Sequence, residues 1–522
     1  MTLDQRACDR ARRSRDARFD GRFFIAVTTT RVYCRPICPA RAPKDEHVRY
    51  FPTAAAAEAA GFRPCLRCRP EASPGTPAWF GTSSVVSRAL RLIAEGALDE
   101  ESVDALADRL GVTARHLRRL FLQHLGAAPS DVALTRRVHF AKKLLDETSL
   151  SFNEVAFAAG FGSVRRFNGE IRRTYRRTPS ELRRLAEQAP PVEPECYRFR
   201  LAYRPPYDWD AVLSFLRARA TPGVELVDGL RYRRTITVDG KHGLIGISRH
   251  ASGTALSVDV QFPDPRALLA IVERVRCLFD LGADPTVIAE HLRVDPLLRG
   301  PLRAHPGIRT PGAWDGFELA VRAIVGQQIS VRGATTIAGR LASLWGSVVD
   351  VGAGLERLFP TPAQLMDAEL ERAGVMPARA EAIRALARGV FDGAIALDAR
   401  ADVGLTVAAL EALPGIGPWT AAYIAMRTLG EPDAFPSGDL VLRRMTGNLS
   451  ARALDRRSDA WRPWRAYAVM LLWQAATTEA ASTSARAKGR HGDRRAPCRH
   501  DRGRAGRASG RAVRGLRASA KP

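Results

Sequence analysis

Long apolar segments are absent from this sequence. No stretch approaches the roughly 18–20 unbroken apolar residues that a membrane-spanning helix needs. The first twenty residues are charged and lack the apolar centre of a secretory signal. We therefore expect a cytoplasmic protein with no membrane partner. A reducing cytosol disfavours disulfides, so clustered cysteines in such a chain are expected to bind a metal or to react.

Acidic residues are few relative to basic ones. The 522 residues include 55 Asp and Glu against 80 Lys and Arg, which gives a net charge of +25. Residues 483–522 hold 13 of the basic and 2 of the acidic residues, so the rest of the chain keeps a net charge of +14. An excess of this size predicts a polyanionic partner, and double-stranded DNA is the first candidate.

Four of the eight cysteines form two close pairs. Cys34 and Cys38 are separated by three residues, Cys65 and Cys68 by two, and 26 residues lie between the pairs. Two such hooks match a tetrahedral zinc site, which is either a purely structural site or a reactive one. The flanking residues are basic, which offsets thiolate charge and attracts phosphate; they are Arg35, Arg41, Lys44, Arg63, Arg67 and Arg69.

The stretches FFIAVTTTRVYCRPICPAR and AAGFRPCLRCRP resemble the zinc domain of the Ada alkylation-response proteins. The resemblance implies that Cys34 is both a zinc ligand and the nucleophile that takes a methyl group from a DNA methylphosphotriester. Cys38, Cys65 and Cys68 would be the other ligands. Methylation would remove one negative charge and strengthen DNA binding. The family typically has glycine where Arg31 stands, and arginine at a positive φ costs about 1 kcal/mol or more.

Residues 84–186 have a helical pattern with two helix-turn-helix units, one turning at Gly111 and one at Gly160–Gly162. Together with the Thr-Pro-Ser-Glu-Leu-Arg ending, the pair resembles the AraC-type DNA-binding domain. The resemblance implies a helix in the major groove, transcription activation and contact with RNA polymerase. The plain alternative is a helical bundle with a solvated basic face. The candidate DNA-binding residues are Arg115, His116, Arg118, Arg119, Arg165, Arg166, Arg172 and Arg173.

The segment LPGIGPWTAAY at 413–423 resembles the helix-hairpin-helix of base-excision glycosylases. Its glycines allow a tight turn whose N–H groups, at Gly415 and Gly417, bind a DNA phosphate. YRPPYDWDAVLSFLRARA, AVRAIVGQQIS and WRPWRAYAVMLLW extend the resemblance to AlkA-type 3-methyladenine glycosylases over about 197–478. In that family, hairpin carbonyls hold a monovalent cation; the matching residues here are Glu411, Leu413 and Gly415.

The AlkA resemblance assigns the remaining site residues. Asp439 is the catalytic carboxylate, and Gln328 is the residue that enters the duplex when the damaged base is flipped out. Trp419, Tyr423 and Trp473 form a pocket for a cationic alkylated purine. Trp419 also takes the place of the lysine that lyases use, so we predict a monofunctional enzyme. The alternatives are Asp439 as a helix cap and the aromatic residues as core.

Composition and resemblance together predict a multidomain chain, mainly α with α+β parts. We expect an Ada–AlkA fusion that senses alkylation, activates transcription and excises bases; the alternative is a regulator with a structural zinc site and an inactive glycosylase fold. APCRH at 496–500 is too poor a match to predict a second methyltransferase domain. The predicted parts are a small zinc α/β domain at 1–76, an AraC-type tandem helix-turn-helix domain at 82–186, a small antiparallel β/α domain at 196–305, an all-α helix-hairpin-helix glycosylase domain at 306–480 and a disordered basic tail at 481–522.

Overall fold

Helices dominate the computed structural model, which describes residues 4–74, 84–186, 195–352, 354–398 and 401–492. Two separate sheets interrupt the helices. The predicted class, mainly α with α+β parts, is confirmed. Residues 75–83 and 187–194, at boundaries between predicted domains, and the APCRH segment lie outside the described residues. Within the described ranges, we find no helix that combines the length and the apolar character needed to cross a bilayer.

A four-stranded sheet carries the cysteine pairs. Its strand order is β3-β1-β2-β4, with β1 antiparallel to both neighbours and β2 parallel to β4. The alanine-rich helix α2 begins after Thr53, whose Oγ1 accepts from the Ala56 N–H (3.0 Å) as an N-cap. Its buried alanines let it pack closely on the sheet. The elements are α1 (Gln5–Ser14), β1 (Phe24–Val27), β2 (Val32–Cys34), β3 (Val48–Phe51), α2 (Ala54–Ala59) and β4 (Arg63–Pro64).

Eight helices follow, and the two predicted helix-turn-helix units are present. Gly111 (φ 69°) lies between α5 and α6, and Gly160 (φ 80°) between α8 and α9, so both turns use left-handed backbone. The helices are α3 (Ser84–Ala94), α4 (Ala97–Glu100), α5 (Val103–Arg109), α6 (Ala114–Leu125), α7 (Pro129–Glu147), α8 (Phe152–Ala158), α9 (Val164–Tyr175) and α10 (Pro179–Leu185).

The alternating segment after residue 195 forms the predicted antiparallel sheet. Five strands are ordered β5-β9-β8-β7-β6, and every neighbouring pair is antiparallel. Alternate residues of β5 face the core, as the period of two predicts. The elements are β5 (Cys196–Ala202), α11 (Trp209–Arg217), β6 (Glu225–Asp228), β7 (Arg231–Val238), β8 (Lys241–Arg249) and β9 (Ala255–Gln261).

The remaining elements are helical, and the last helix extends into the first residues of the predicted tail. The tail was predicted to be disordered from residue 481, but α23 runs on to Gly492; residues 493–522 lie outside the described ranges. The chain divides into compact units Met1–Ala475 and Ala476–Pro522, and the five domain boundaries stay predictions. The helices are α12 (Leu268–Leu278), α13 (Pro285–Leu292), α14 (Pro296–Ala304), α15 (Gly316–Val325), α16 (Val331–Trp345), α17 (Pro362–Leu365), α18 (Pro377–Phe391), α19 (Val403–Glu411), α20 (Pro418–Thr428), α21 (Leu440–Met445), α22 (Ala451–Ser458) and α23 (Arg465–Gly492).

Helix α7 joins the cysteine-bearing sheet to the second sheet. Thr135 Oγ1 donates to Glu58 Oε2 of α2 (2.7 Å), and His139 Nε2 lies 3.1 Å from Glu58 Oε1. Toward the end of α7, Lys143 Nζ donates to the backbone carbonyl of Arg200 in β5 (2.6 Å). Burial lowers the pKa of Lys143. Because buried polar groups need partners, these contacts hold α7 against both neighbours.

A buried charge network connects the second sheet to α15. Arg234 Nη2 of β7 donates to Glu318 Oε2 (2.7 Å), while Arg322 Nη1 donates to Glu318 Oε1 and to Glu225 Oε2 (2.8 Å each). Burial raises the pKa of Glu225, but Arg322 and Arg234 outweigh burial and lower this pKa to about 2. The network therefore holds the five-stranded sheet against α15.

Removing one charge from this network should destabilise the protein. We expect Glu225→Gln to lower the free energy of unfolding at pH 7 by about 3–5 kcal/mol, because it leaves buried guanidinium groups short of countercharge. Folding lowers the Glu225 pKa from 4.5 to about 2, so its contribution is complete above about pH 4.5 and is lost as the pH falls toward 2. Urea unfolding followed by circular dichroism at several pH values measures both effects.

Glu369→Gln is the matched control, because this side chain is exposed and pairs only loosely with Arg372 at 3.9 Å. Its effect should stay below about 1 kcal/mol. Equal losses in the two variants, or a Glu225→Gln loss that grows in acid, would contradict the assignment.

Candidate functional sites

The thiol groups of Cys34, Cys38, Cys65 and Cys68 converge. Their Sγ atoms all lie within 4.8 Å of one another. Zinc–sulfur bonds of about 2.3 Å in a tetrahedron place the sulfur atoms about 3.8 Å apart, so the cluster has the size of a four-thiolate zinc site. The predicted ligands are thus brought together by the fold.

Short backbone contacts build this cluster. Cys34 ends β2, and the N–H of Cys65 donates to the Tyr33 carbonyl (3.0 Å), which places the second pair beside the first. The N–H of Cys38 donates to the Arg35 carbonyl (3.1 Å) in a tight turn. Cys65 and Cys68 are buried, whereas Cys34 and Cys38 are half-buried. The proposed acceptor sulfur therefore belongs to the more open side of the cluster.

Two of the flanking basic residues are not available to phosphate as the sequence suggested. Arg35 is buried: its Nε donates to Asp20 Oδ1 (2.8 Å), and its Nη1 donates to the Cys68 carbonyl (3.1 Å). Its backbone N–H lies 3.3 Å from Cys68 Sγ. Arg69 pairs with Asp146 of α7 (2.6 Å). Both arginines shape the cluster, while the exposed flanking cations are Arg41, Lys44 and Arg67.

Arg31 does adopt the backbone that favours glycine. Its φ is 55°, in the left-handed region, which costs about 1–2 kcal/mol for a residue with a side chain. The guanidinium carbon lies 5.3 Å from the centre of the Phe62 ring, a contact of about 0.5–1 kcal/mol. The stacking offsets part of the strain, so the strand turn forms with arginine in place.

The second helices of the helix-turn-helix units present basic surfaces. Thr113 caps α6 and Ser163 caps α9, each with its side-chain oxygen accepting a backbone N–H (3.2 Å). His116 is half-buried and its Nδ1 lies 3.0 Å from Nη2 of Arg119. The predicted residues with exposed side chains are Arg115, Arg118, Arg119, Arg165, Arg166, Arg172 and Arg173.

The predicted hairpin lies between α19 and α20. Gly415 has φ 79°, and Gly417 is the N-cap residue of α20. The Leu413 carbonyl accepts from the Ile416 N–H (3.3 Å), and the Gly415 carbonyl accepts from Gln327 Nε2 (2.9 Å). Each carbonyl keeps a second lone pair. Glu411 ends α19. Binding of a monovalent cation by the backbone carbonyls of Glu411, Leu413 and Gly415 stays a prediction.

The predicted pocket residues meet at Asp439. Trp419 and Tyr423 stack with ring centres 5.5 Å apart and planes at 6°, and Tyr423 and Trp473 are 6.2 Å apart. The indole N–H of Trp419 donates to Asp439 Oδ2 and that of Trp473 to Oδ1, each at 3.1 Å. Oδ1 also accepts from the Leu442 N–H (2.9 Å), so Asp439 caps α21 as well. The cap and the pocket share one carboxylate, which is 9% exposed.

Arg427 supports this pocket, and sequence analysis missed it. Its Nη1 donates to the Tyr423 hydroxyl (2.8 Å) and its Nη2 to the Gly312 carbonyl (2.9 Å). Burial raises the pKa of Tyr423, but Arg427, Arg219 and Arg322 together outweigh burial and lower it. The spacing of four residues from Tyr423 along α20 was a usable signal, because such residues share a helix face.

Gln328 lies in the loop between α15 and α16, with an exposed side chain and φ 56°. A left-handed backbone is strained for glutamine, and such strain is found where a side chain is held for function. The geometry agrees with the predicted duplex-entering residue, whose role stays a prediction.

Three family descriptions match the chain. They are the metal binding domain of Ada at residues 7–71, a helix-turn-helix domain at 106–185 and the AlkA N-terminal domain at 198–315. With the convergent thiols, the first match shows that the protein holds one zinc ion on its four clustered cysteines.

Named relatives match the whole chain or parts of it. A Mycobacterium tuberculosis protein named probable bifunctional transcriptional activator/DNA repair enzyme AlkA is 43% identical over 91% of this chain and 97% of its own. DNA-3-methyladenine glycosylase 2 of Escherichia coli is 35% identical over 53% of this chain and 96% of its own. The bifunctional transcriptional activator/DNA repair enzyme Ada of E. coli is 40% identical over 22% of this chain and 31% of its own. The chain therefore belongs to the family of bifunctional transcriptional activator/DNA repair enzymes that unite an Ada-type zinc domain, a helix-turn-helix domain and an AlkA-type glycosylase.

Proposed function

We propose that this protein excises alkylated purines from DNA and records backbone methylation on Cys34. The observation that carries the proposal is the contact of Asp439 with both indoles of a stacked aromatic pocket. A carboxylate beside three aromatic rings suits a cationic base and the positive sugar left when that base departs. The convergent cysteine cluster supports the second activity.

The excision step uses groups in the pocket. Double-stranded DNA binds through the hairpin N–H groups, Gln328 fills the gap left by the flipped nucleotide, and the charged purine stacks among the rings. Breakage of the glycosidic bond releases the purine, and the Asp439 carboxylate stabilises the oxocarbenium charge until water adds at C1′. Trp419 stands where a lyase has its lysine, so the product is an intact abasic site.

The recording step is a single transfer. Zinc, when bound, keeps the Cys34 sulfur deprotonated at neutral pH. The sulfur attacks the methyl carbon of a methylphosphotriester, the carbon–oxygen bond breaks, and the phosphodiester anion leaves with the bonding electron pair. The sulfur becomes a neutral thioether, so the cluster loses one negative charge and is repelled less by DNA.

The helix-turn-helix part turns this charge change into regulation. α7 contacts Glu58 of the zinc part through Thr135 and His139, so recognition helices and cysteine cluster approach DNA together. Tighter binding after methylation would hold the basic faces of α6 and α9 at an operator. Transcription activation also requires contact with RNA polymerase, and this contact is part of the proposal.

Asp439→Asn should greatly slow base release. We expect at least a 100-fold slower release of 3-methyladenine from methylated duplex DNA, because the neutral amide cannot stabilise the oxocarbenium charge. Chromatography of released bases measures the rate, and a binding assay on the same DNA checks that affinity is kept.

Asp402→Asn provides the control, because Asp402 caps α19 by accepting the Leu405 N–H (3.0 Å) in the same way. It should release base at the wild-type rate. Wild-type rates for both variants would reject Asp439 as the catalytic group. No release by the wild type would favour a DNA-binding regulator with an inactive glycosylase fold.

Cys34 should gain the mass of one methylene on incubation with DNA that carries methylphosphotriesters. Peptide mass spectrometry locates the added group, and Cys34→Ser should remove the signal. Cys277→Ser is the control, because this exposed cysteine lies outside the cluster. A methyl group found on another cysteine would contradict the assignment.

Cys68→Ser should lower the zinc content below one per chain, since it removes a ligand.

A further inference from the structure

Two adjacent glutamines in the α15–α16 loop have opposite surroundings. Gln328 is exposed on a left-handed backbone, whereas Gln327 is half-buried and turns toward the hairpin. At the far end of the loop, Ser330 caps α16 by accepting the Gly333 N–H (3.1 Å). The loop is therefore fixed on both sides of its strained residue.

The side-chain amide of Gln327 connects this loop to the turn of the hairpin and to its second helix, α20. Its Nε2 donates to the Gly415 carbonyl and to the Thr420 Oγ1, each at 2.9 Å. Gly415 lies in the turn with φ 79°, and Thr420 is 2% exposed in the first turn of α20. Both hydrogens of one amide are thus used to connect the loop to the hairpin.

We propose that Gln327 is a positioning residue that sets the distance between the duplex-entering Gln328 and the phosphate-binding hairpin. The inference rests on the proposed function, because it assumes that both elements contact DNA. The base stack resists the entering side chain and pushes the loop back toward the protein. Gln327 opposes this push through two hydrogen bonds to the element that holds the DNA backbone, and it keeps Gln328 in its strained conformation.

Gln327→Leu tests the proposal, because leucine has a similar volume and no donor. We expect excision of a single alkylated purine from paired duplex to fall roughly 10- to 30-fold, the value of two amide hydrogen bonds. The loss should shrink when the lesion lies opposite an abasic site, because an unpaired base costs less to flip out. Thr420→Val, which removes one acceptor, should give a smaller loss in the same direction. Gln364→Leu removes an amide from the cap of α17, and we expect the wild-type rate.

A double-mutant cycle shows whether Gln327 acts through Gln328. In a Gln328→Ala background, the further change Gln327→Leu should cost less than threefold, because the positioned side chain is already gone. Fully additive effects, or an equal loss on paired and unpaired lesions, would overturn the proposal in favour of a general structural role. Thermal unfolding of each variant separates loss of fold from loss of positioning.

Two different results distinguish an error in the positioning role of Gln327 from an error in the proposed excision activity. If the wild type releases no alkylated purine from any duplex, the excision activity itself is wrong. If the wild type is active and Gln327→Leu matches it on paired duplex, only the positioning role is wrong.

Discussion

Buried ion pairs along α7 hold the N-terminal zinc part and the helix-turn-helix part together. Lys142 Nζ donates to both carboxylate oxygens of Asp146 (2.5 and 2.6 Å), and Arg69, next to the ligand Cys68, reaches the same carboxylate (2.6 Å). Removing one member of such a set leaves an uncompensated buried charge and costs several kcal/mol. These ion pairs therefore hold the zinc part against the helix-turn-helix part. Lys143 of α7 also contacts the second sheet.

The two proposed chemistries make different demands on their surroundings. The cysteine cluster keeps two sulfurs buried and leaves Cys34 half-buried, which suits one reaction with a bulky backbone group. Asp439 is nearly covered, which suits its proposed role, because a carboxylate stabilises developing positive charge best where water is excluded. In the proposed reactions the first group is consumed, whereas the second is regenerated at each turnover. On this proposal, one molecule records damage once and still repairs many bases.

Sequence patterns predicted the features that depend only on the spacing of residues along the chain. Both cysteine pairs, the two helix-turn-helix units and the alternation that became the five-stranded sheet follow from distances along the chain. Contacts between segments that are far apart in the sequence could not be predicted. Arg35 finds Asp20, and Gln327 finds Gly415, only once the fold brings them together. Disorder of the basic tail stays a prediction for residues 493–522, because scarce apolar residues exclude a core, while the alanine-rich stretch up to Gly492 favours the end of α23.

The proposed base-binding pocket and the proposed catalytic charge depend on the same two oxygen atoms. Each indole of the pocket uses one oxygen of Asp439 as its acceptor, and α21 begins on one of them. Replacing Asp439 by a residue without a side-chain acceptor would remove the hydrogen bonds of both indoles and the N-cap of α21 at the same time. Under the proposed function, a substitution at this position therefore changes the shape of the base-binding site and the rate of excision together.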